Sequence, residues 1–486
     1  MIREFTLLPV TEQSHPFCAT ADCFELARYG YREEEYLFTG TANVYGTGPD
    51  EKPRVLYSDV PYTNRLIVRR PENAAACSGK VVVEIINSTA NIDIERVWCE
   101  SRRWLMRHGH IFVGITSKPN VFAALRRCDP QRYGPLNWPN PAAGTRPVVE
   151  PEDPICLLGE EDQEMGLIWD MLRELPALLK SGEGPNPLAD CPAKAVYLTG
   201  WSQSCSYINR LVNSFVYPDR KPAPPLYNGY LPTGSVCKLT TPLNRYECND
   251  ALPLEKRLVT WCPVPFIELN TESENSNLGG FGGYDGRRPD SDAPGFLYRH
   301  REVTGSCHDS AANMGNPAFA DDIIAARVFP MRKGAPMDPT LNDYPKHYAF
   351  HAALRDLMLW DEQGIAPAKM PPICQTADGL NEKDAFGNTL GGMRTPQLEL
   401  PAVRYCSFGP QPRPDGTVGI NYLRGHVEPF SPALLRELYG NAAQYRARAE
   451  AFAAKEVQQG MLLAEDAAEA VDEAVDAAVR RGLPEV

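Results

Sequence analysis

Ser202, in the run Tyr197-Leu-Thr-Gly200-Trp-Ser202-Gln-Ser204-Cys-Ser-Tyr207, has the sequence surroundings of a nucleophile. A serine hydroxyl attacks a carbonyl only when its Oγ is presented at a sharp turn with a base beside it. Ala195-Val-Tyr-Leu-Thr199 reads as a short buried strand leading into such a turn, and Tyr207-Ile-Asn-Arg-Leu-Val-Asn-Ser-Phe215 has apolar residues at helical spacing. A strand-to-helix elbow packs backbone against backbone, so it needs small residues two before and two after the nucleophile, and Gly200 and Ser204 hold those places. Ser204 stands where glycine is commoner. The pentapeptide alone also arises by chance in a long chain, so its specificity comes from the flanking strand and helix.

A nucleophile needs a base and an acid to orient it, expected in the order serine, carboxylate, histidine. Val264-Pro-Phe-Ile-Glu-Leu-Asn270 is an apolar run ending in Thr271-Glu272-Ser273-Glu274; Glu274 is the expected acid, with Glu272 on the same side of an extended segment as the alternative. Tyr298-Arg-His-Arg-Glu-Val-Thr-Gly305 then reads as a strand and a turn, and His308 after it is the expected base. Of the other histidines, His15, His108, His110 and His426 follow no such strand and turn, and His300 falls inside the strand. His347 and His351 are four apart on a predicted helix, the spacing of two metal ligands, but without the glutamate of H-E-x-x-H and with apolar neighbours that suggest a core face; no metal is expected. For the developing oxyanion, the backbone N–H of Gln203 is one expected donor. A second should come from Asn87-Ser88-Thr89, between the strand Lys80-Val-Val-Val-Glu-Ile-Ile86 and a helix from Ile94; these residue types equally suit a helix N-cap. Cys205 and Cys307 flank the proposed groups and read as small spacers.

The elements that must position these groups alternate between strand and helix. Extended segments at about 4–11, 35–45 and 64–70 are expected as an antiparallel edge, followed by parallel strands at 81–86, 110–116, 195–199, 264–270 and 297–303 and helices near 94–107, 161–180, 204–215 and 346–363. That pattern predicts an α/β fold, a mostly parallel central sheet flanked by helices. One domain over 1–486 is expected, with its core at about 60–363. The long connections 119–160 and 217–258 are expected as lid or pocket wall, the Pro- and Gly-rich 364–430 as a wrapping arm, and 431–484 as helices. Arg394 in the arm could meet a substrate carboxylate or act as a structural clamp, and the clamp is expected. The acidic side of the last helix is read as a solvated face, with a dimer contact as the alternative.

These features together resemble the α/β-hydrolase domain-containing family whose elbow reads Gly-Trp-Ser-Gln-Ser. The resemblance runs through Tyr62-Thr-Asn-Arg-Leu-Ile-Val-Arg-Arg-Pro71, Val82-Val-Glu-Ile-Ile-Asn87, Gly109-His-Ile-Phe-Val-Gly-Ile115, the elbow, Glu302-Val-Thr-Gly-Ser-Cys-His308 and Gly387-Asn-Thr-Leu-Gly-Gly-Met-Arg-Thr-Pro396. It implies the α/β-hydrolase fold and carboxylic-ester chemistry of esterase or lipase type, with Ser202 as nucleophile, the second acidic residue of Thr271-Glu-Ser-Glu274 as acid, and His308 as base. Aspartate is commoner in that family where this chain has Glu274.

Composition narrows the partners. A net charge of −13 with no basic patch disfavours nucleic acid and anionic membranes, and no stretch reaches the ~20 apolar residues of a membrane span. The first residues lack the apolar core and cleavage site of a secretory signal, and the 14 cysteines include no C-x-x-C pair, so a reducing, cytoplasmic setting is expected. The expectation is thus a serine hydrolase acting on a small-molecule ester, needing no cofactor, as a monomer or homo-oligomer. Acyl transfer, thioester or amide cleavage would use the same residues, and a binding protein or lyase on the same fold is the alternative of another class.

Overall fold

The computed structural model describes all residues except 18–25, 150–158, 183, 236–239, 248–251, 276–285, 311–319, 328–337 and 414. The chain folds as two compact units: Met1–Phe266 with Ala293–Leu297 and Asn316–Pro336, and Ile267–Asp292 with Tyr298–Gly315 and Met337–Val486.

The first unit is built on Ile2–Leu8 (β1), Tyr31–Thr47 (β2), Pro53–Pro71 (β3), Lys80–Ile86 (β4), Ile111–Thr116 (β5), Ala195–Trp201 (β6), Gly229–Thr233 (β7) and the start of Cys262–Thr271 (β8), in the order β1-β2-β3-β5-β4-β6-β7-β8. β4, β5 and β6 are β-branched or aromatic along most of their length and almost wholly buried, as parallel strands covered on both faces must be. They pair in parallel, Val83 opposite both Val113 and Leu198, and Thr199 opposite Leu231 of β7. β1, β2 and β3 form the antiparallel edge, and β3 joins β5 antiparallel, Leu66 opposite Ile115. β2 and β3 run further than their apolar stretches predict because charged residues pair between them: Arg69 Nε donates to Glu33 at 2.6 Å and Arg70 Nε to Glu34 at 2.8 Å.

Two helices pack beside these strands, Arg96–Arg107 (α1) and Ile168–Lys180 (α2), and Gln203–Leu211 (α3) follows the elbow and ends in a single π turn, Val212–Val216. Buried Glu84 on β4 accepts the Val97 and Trp98 N–H groups at 2.9 Å each, capping α1, and its burial pushes its pKa up to about 8. β7 corrects one expectation. It lies inside 217–258, read as lid or pocket wall, yet all five of its residues are buried in the sheet. Gly229 and Pro232 mask its strand character in the sequence.

The second unit takes the end of β8 with most of Ser291–Ala293 (β9) and most of Phe296–Val303 (β10), in the order β8-β10-β9. Its long helix is His347–Gln363 (α4). The arm is more structured than its Pro and Gly content predicts: Val403–Cys406 (β11) pairs with His426–Pro429 (β14), and Gly409–Pro412 (β12) with Val418–Asn421 (β13), both antiparallel. The terminal helices are Pro432–Tyr439 (α5), Ala442–Gln458 (α6) and Ala467–Arg480 (α7), within the stretch 431–484 expected to be helical. Ser431 Oγ accepts the Leu434 N–H at 3.2 Å, and Asn441 Oδ1 that of Gln444 at 3.0 Å. Their small apolar faces close a core of Tyr348, Leu435, Tyr445, Ala449, Val471 and Ala474. His351 of α4 is buried there with Asp466 at 2.7 Å, a core position. Among the described residues no helix is long and apolar enough to cross a membrane.

Candidate active site

Trp201 ends β6 and Gln203 opens α3, so the whole change of direction falls on Ser202, at φ 59°, ψ −120°. A non-glycine residue held in this region stores about 1–3 kcal/mol of backbone strain, which persists only when its surroundings enforce it. The enforcement is visible. Ser202 N–H donates to Thr233 O at 2.9 Å, Thr233 Oγ1 donates to Gly200 O at 2.8 Å, and Asn87 Nδ2 donates to Trp201 O at 3.0 Å. A Cβ at Gly200 would lie 2.7 Å from Ser204 Cβ, which is why these two positions must be small. Gly200→Val is therefore expected to destabilise the protein by about 3 kcal/mol, measured by chemical denaturation; an unchanged unfolding midpoint would show that the elbow is looser than this contact requires. The Cys205 thiol donates to Thr233 O at 2.9 Å, as a buried spacer should.

Gln203 is the first residue of α3. The expectation for Asn87 needs correcting: its backbone N–H donates to Ile94 O at 3.2 Å and its carbonyl accepts from Ile94 N at 3.0 Å, so that N–H is spent on a β-bridge. Thr89 N–H is taken by Asn87 Oδ1 at 3.2 Å. Ser88, buried beside them, is the member of the trio whose N–H remains a candidate second donor.

In the second unit β8 gives way at once to a helical turn, Glu272–Asn275. The turn replaces the extended segment expected there and sends the two carboxylates apart. Glu274 accepts from His308 Nδ1 at 2.6 Å, from Thr271 N–H at 2.6 Å and from Ser273 Oγ at 3.2 Å. Burial alone would raise its pKa, but the adjacent His308 ring and these bonds hold the carboxyl below the usual range. With the proton on Nδ1 engaged by Glu274, the basic lone pair of His308 is on Nε2. Glu272, also fully buried, accepts Gly305 N–H at 2.8 Å, Lys383 Nζ at 3.1 Å and Thr389 Oγ1 at 2.5 Å, an anchor for the turn at Gly305 (φ 79°). Lys346 Nζ donates to the carbonyls of Cys307 at 3.0 Å and His308 at 2.9 Å. Lys346, Lys383 and Thr389 position the histidine loop, and sequence reasoning missed all three. The one signal was the run 387–396 around Thr389, in which only Arg394 carried an expected role.

The sequence model of the family described as alpha/beta hydrolase domain matches residues 5–472. The chain belongs to this family. No curated protein matches the sequence. Similar solved structures include an S-formylglutathione hydrolase from Agrobacterium tumefaciens (10% identity, TM-score 0.30, covering 56% of this chain and 88% of that one). Others are the siderophore hydrolase EstA from Aspergillus nidulans (12%, 0.27, 55% and 74%) and the serine hydrolase XC6422 from Xanthomonas campestris (10%, 0.26, 60% and 96%). At these scores they carry no further argument.

Other groups of the hydrolase are accounted for by structural contacts. His300, on β10, lies 3.0 Å from Glu302 and 3.7 Å from Glu268. Burial opposes its charge, yet hydrogen bonds and charge from these carboxylates push its pKa up to about 9. A folded-state value raised above the unfolded 6.5 gives stability that is fully present below about pH 6.5 and lost as pH rises through about 9. Its size is on the order of 3 kcal/mol. We expect His300→Gln to flatten this part of the stability-against-pH curve; equal slopes for variant and parent would contradict the charged clamp. The Cys307 thiol donates to Asp309 O at 3.2 Å, and burial pushes its pKa up to about 12, leaving it inert at neutral pH. Arg394 donates to Thr389 O at 2.8 Å and Leu398 O at 3.1 Å, contacts of the clamp kind.

Proposed function

We propose that this hydrolase cleaves a small-molecule carboxylic ester through an acyl-serine, with the whole chain acting as one catalytic domain. The observation that carries the reading is the left-handed backbone of Ser202 between β6 and α3, a strain for which presenting a nucleophile is the physical reason. The 2.6 Å bond between His308 and Glu274 supports it from the second unit. In the reaction, His308 Nε2 takes the Ser202 Oγ proton as Oγ bonds to the acyl carbon, and Glu274 steadies the imidazolium. The N–H groups of Gln203 and Ser88 hold the oxyanion. Collapse breaks the ester C–O bond while His308 returns the proton to the alcohol. Water, deprotonated by the same histidine, then releases the acid and restores Ser202. The described cysteines are free thiols, which supports work in a reducing compartment such as the cytoplasm.

Acid-quenched mass spectrometry after rapid mixing with p-nitrophenyl acetate tests this reading. The acetyl group should appear on the peptide bearing Ser202 and disappear as hydrolysis proceeds. Release of p-nitrophenol with no acyl-peptide, or with the acyl group on another residue, would overturn it.

A further inference from the structure

The ladder between β11 and β14 sets Cys406 opposite His426 and Arg404 opposite Glu428. One ligand atom from each of Cys406, His426 and Glu428 lies within 4.8 Å of the other two. His426 Nε2 is 3.3 Å from Glu428 Oε1, and Cys406 Sγ is 3.9 Å from the same oxygen. Tetrahedral bonds of about 2.0 Å to nitrogen and oxygen and about 2.3 Å to sulfur require edges of about 3.3 Å and about 3.5 Å between those atoms. The nitrogen–oxygen edge thus matches that of a zinc tetrahedron, and the sulfur–oxygen edge is longer by about 0.4 Å. The imidazole is also oriented for the task. His426 Nδ1 lies 2.8 Å from Phe408 O, a pure acceptor, so in the neutral ring Nδ1 carries the proton and the Nε2 lone pair faces the carboxylate. The Glu428 oxygen that faces Nε2 already has the Arg404 guanidinium as one cationic partner, and a metal ion would be a second.

We propose that Cys406, His426 and Glu428 bind one thiophilic divalent cation of the zinc type, with a fourth position left to water. Glu428, Arg404 and His426 are 45%, 42% and 29% exposed, so an ion can enter from solvent. The Arg404 guanidinium contacts the same Glu428 oxygen and competes with the cation for it. The site belongs to the arm that supports the histidine loop. Asp309 N–H donates to Leu423 O at 2.7 Å, Asn342 N–H donates to Gly425 O at 3.1 Å, and Asn342 Nδ2 donates to Gly305 O at 2.9 Å. A bound ion would tie β11 to β14 where they carry this support.

Cobalt titration of the full-length, metal-stripped protein tests the proposal without reference to activity. One equivalent of Co²⁺ should give a thiolate-to-cobalt charge-transfer band with intense tetrahedral visible bands, and Zn²⁺ should bleach both. Cys406→Ser should abolish the charge-transfer band, His426→Ala should weaken binding at least tenfold, and Arg404→Ala should tighten it. Absence of a sulfur charge-transfer band in the parent protein would overturn the site. So would a band that survives in a folded Cys406→Ser variant, or an undiminished cobalt affinity in a folded His426→Ala variant.

Discussion

Ser202→Ala is expected to lower kcat for an ester by about 10⁴-fold to 10⁶-fold with little change in KM, because loss of the nucleophile removes the covalent route and leaves only binding and oxyanion stabilisation. The fold should survive. Ser202 is 7% exposed, its backbone N–H and not its Oγ bonds to Thr233, and alanine keeps the Cβ that the turn already accommodates. Circular dichroism and the unfolding midpoint should therefore match the parent within about 1 kcal/mol. Retained turnover in a folded variant would place the chemistry on another residue.

The second large effect separates two adjacent carboxylates. Glu274→Gln keeps the size of the side chain but faces His308 Nδ1 with an amide that can donate, which favours the wrong tautomer; kcat should fall by about 10⁴-fold. Glu272→Gln removes the negative partner of Lys383 and weakens the acceptor for Gly305 N–H and Thr389 Oγ1. It should cost about 1–3 kcal/mol of stability, with kcat within about tenfold of the parent. Steady-state kinetics and denaturation of the two variants side by side decide the matter, and a large kcat loss confined to Glu272→Gln would reverse the assignment.

This pair also marks where the sequence stops being legible. Two glutamates two residues apart are equivalent on an extended segment; only the helical turn Glu272–Asn275 sends one to His308 and the other to Lys383 and Thr389, more than 100 residues later in the chain. Asn87 failed as a donor for a similar reason. Its residue type is right for a loop that offers N–H groups, but the bridge to Ile94 is a pairing that no local pattern announces. β7 was hidden by its glycine and proline, and the four-residue strands of the arm are too short to show alternation. What could be read were the long β-branched runs of β4, β5 and β6, the helical character of 431–484, and the small residues around the turn at Ser202. In each of these, local chemistry and the final environment make the same demand.

The most direct test of the account is intact-mass analysis after incubation with a fluorophosphonate, for the parent protein, Ser202→Ala and His308→Ala. The account predicts a single adduct on the parent, none on Ser202→Ala, and labelling slowed by orders of magnitude on His308→Ala. An adduct that persists on Ser202→Ala, or a folded parent that takes no adduct while hydrolysing esters, would contradict it.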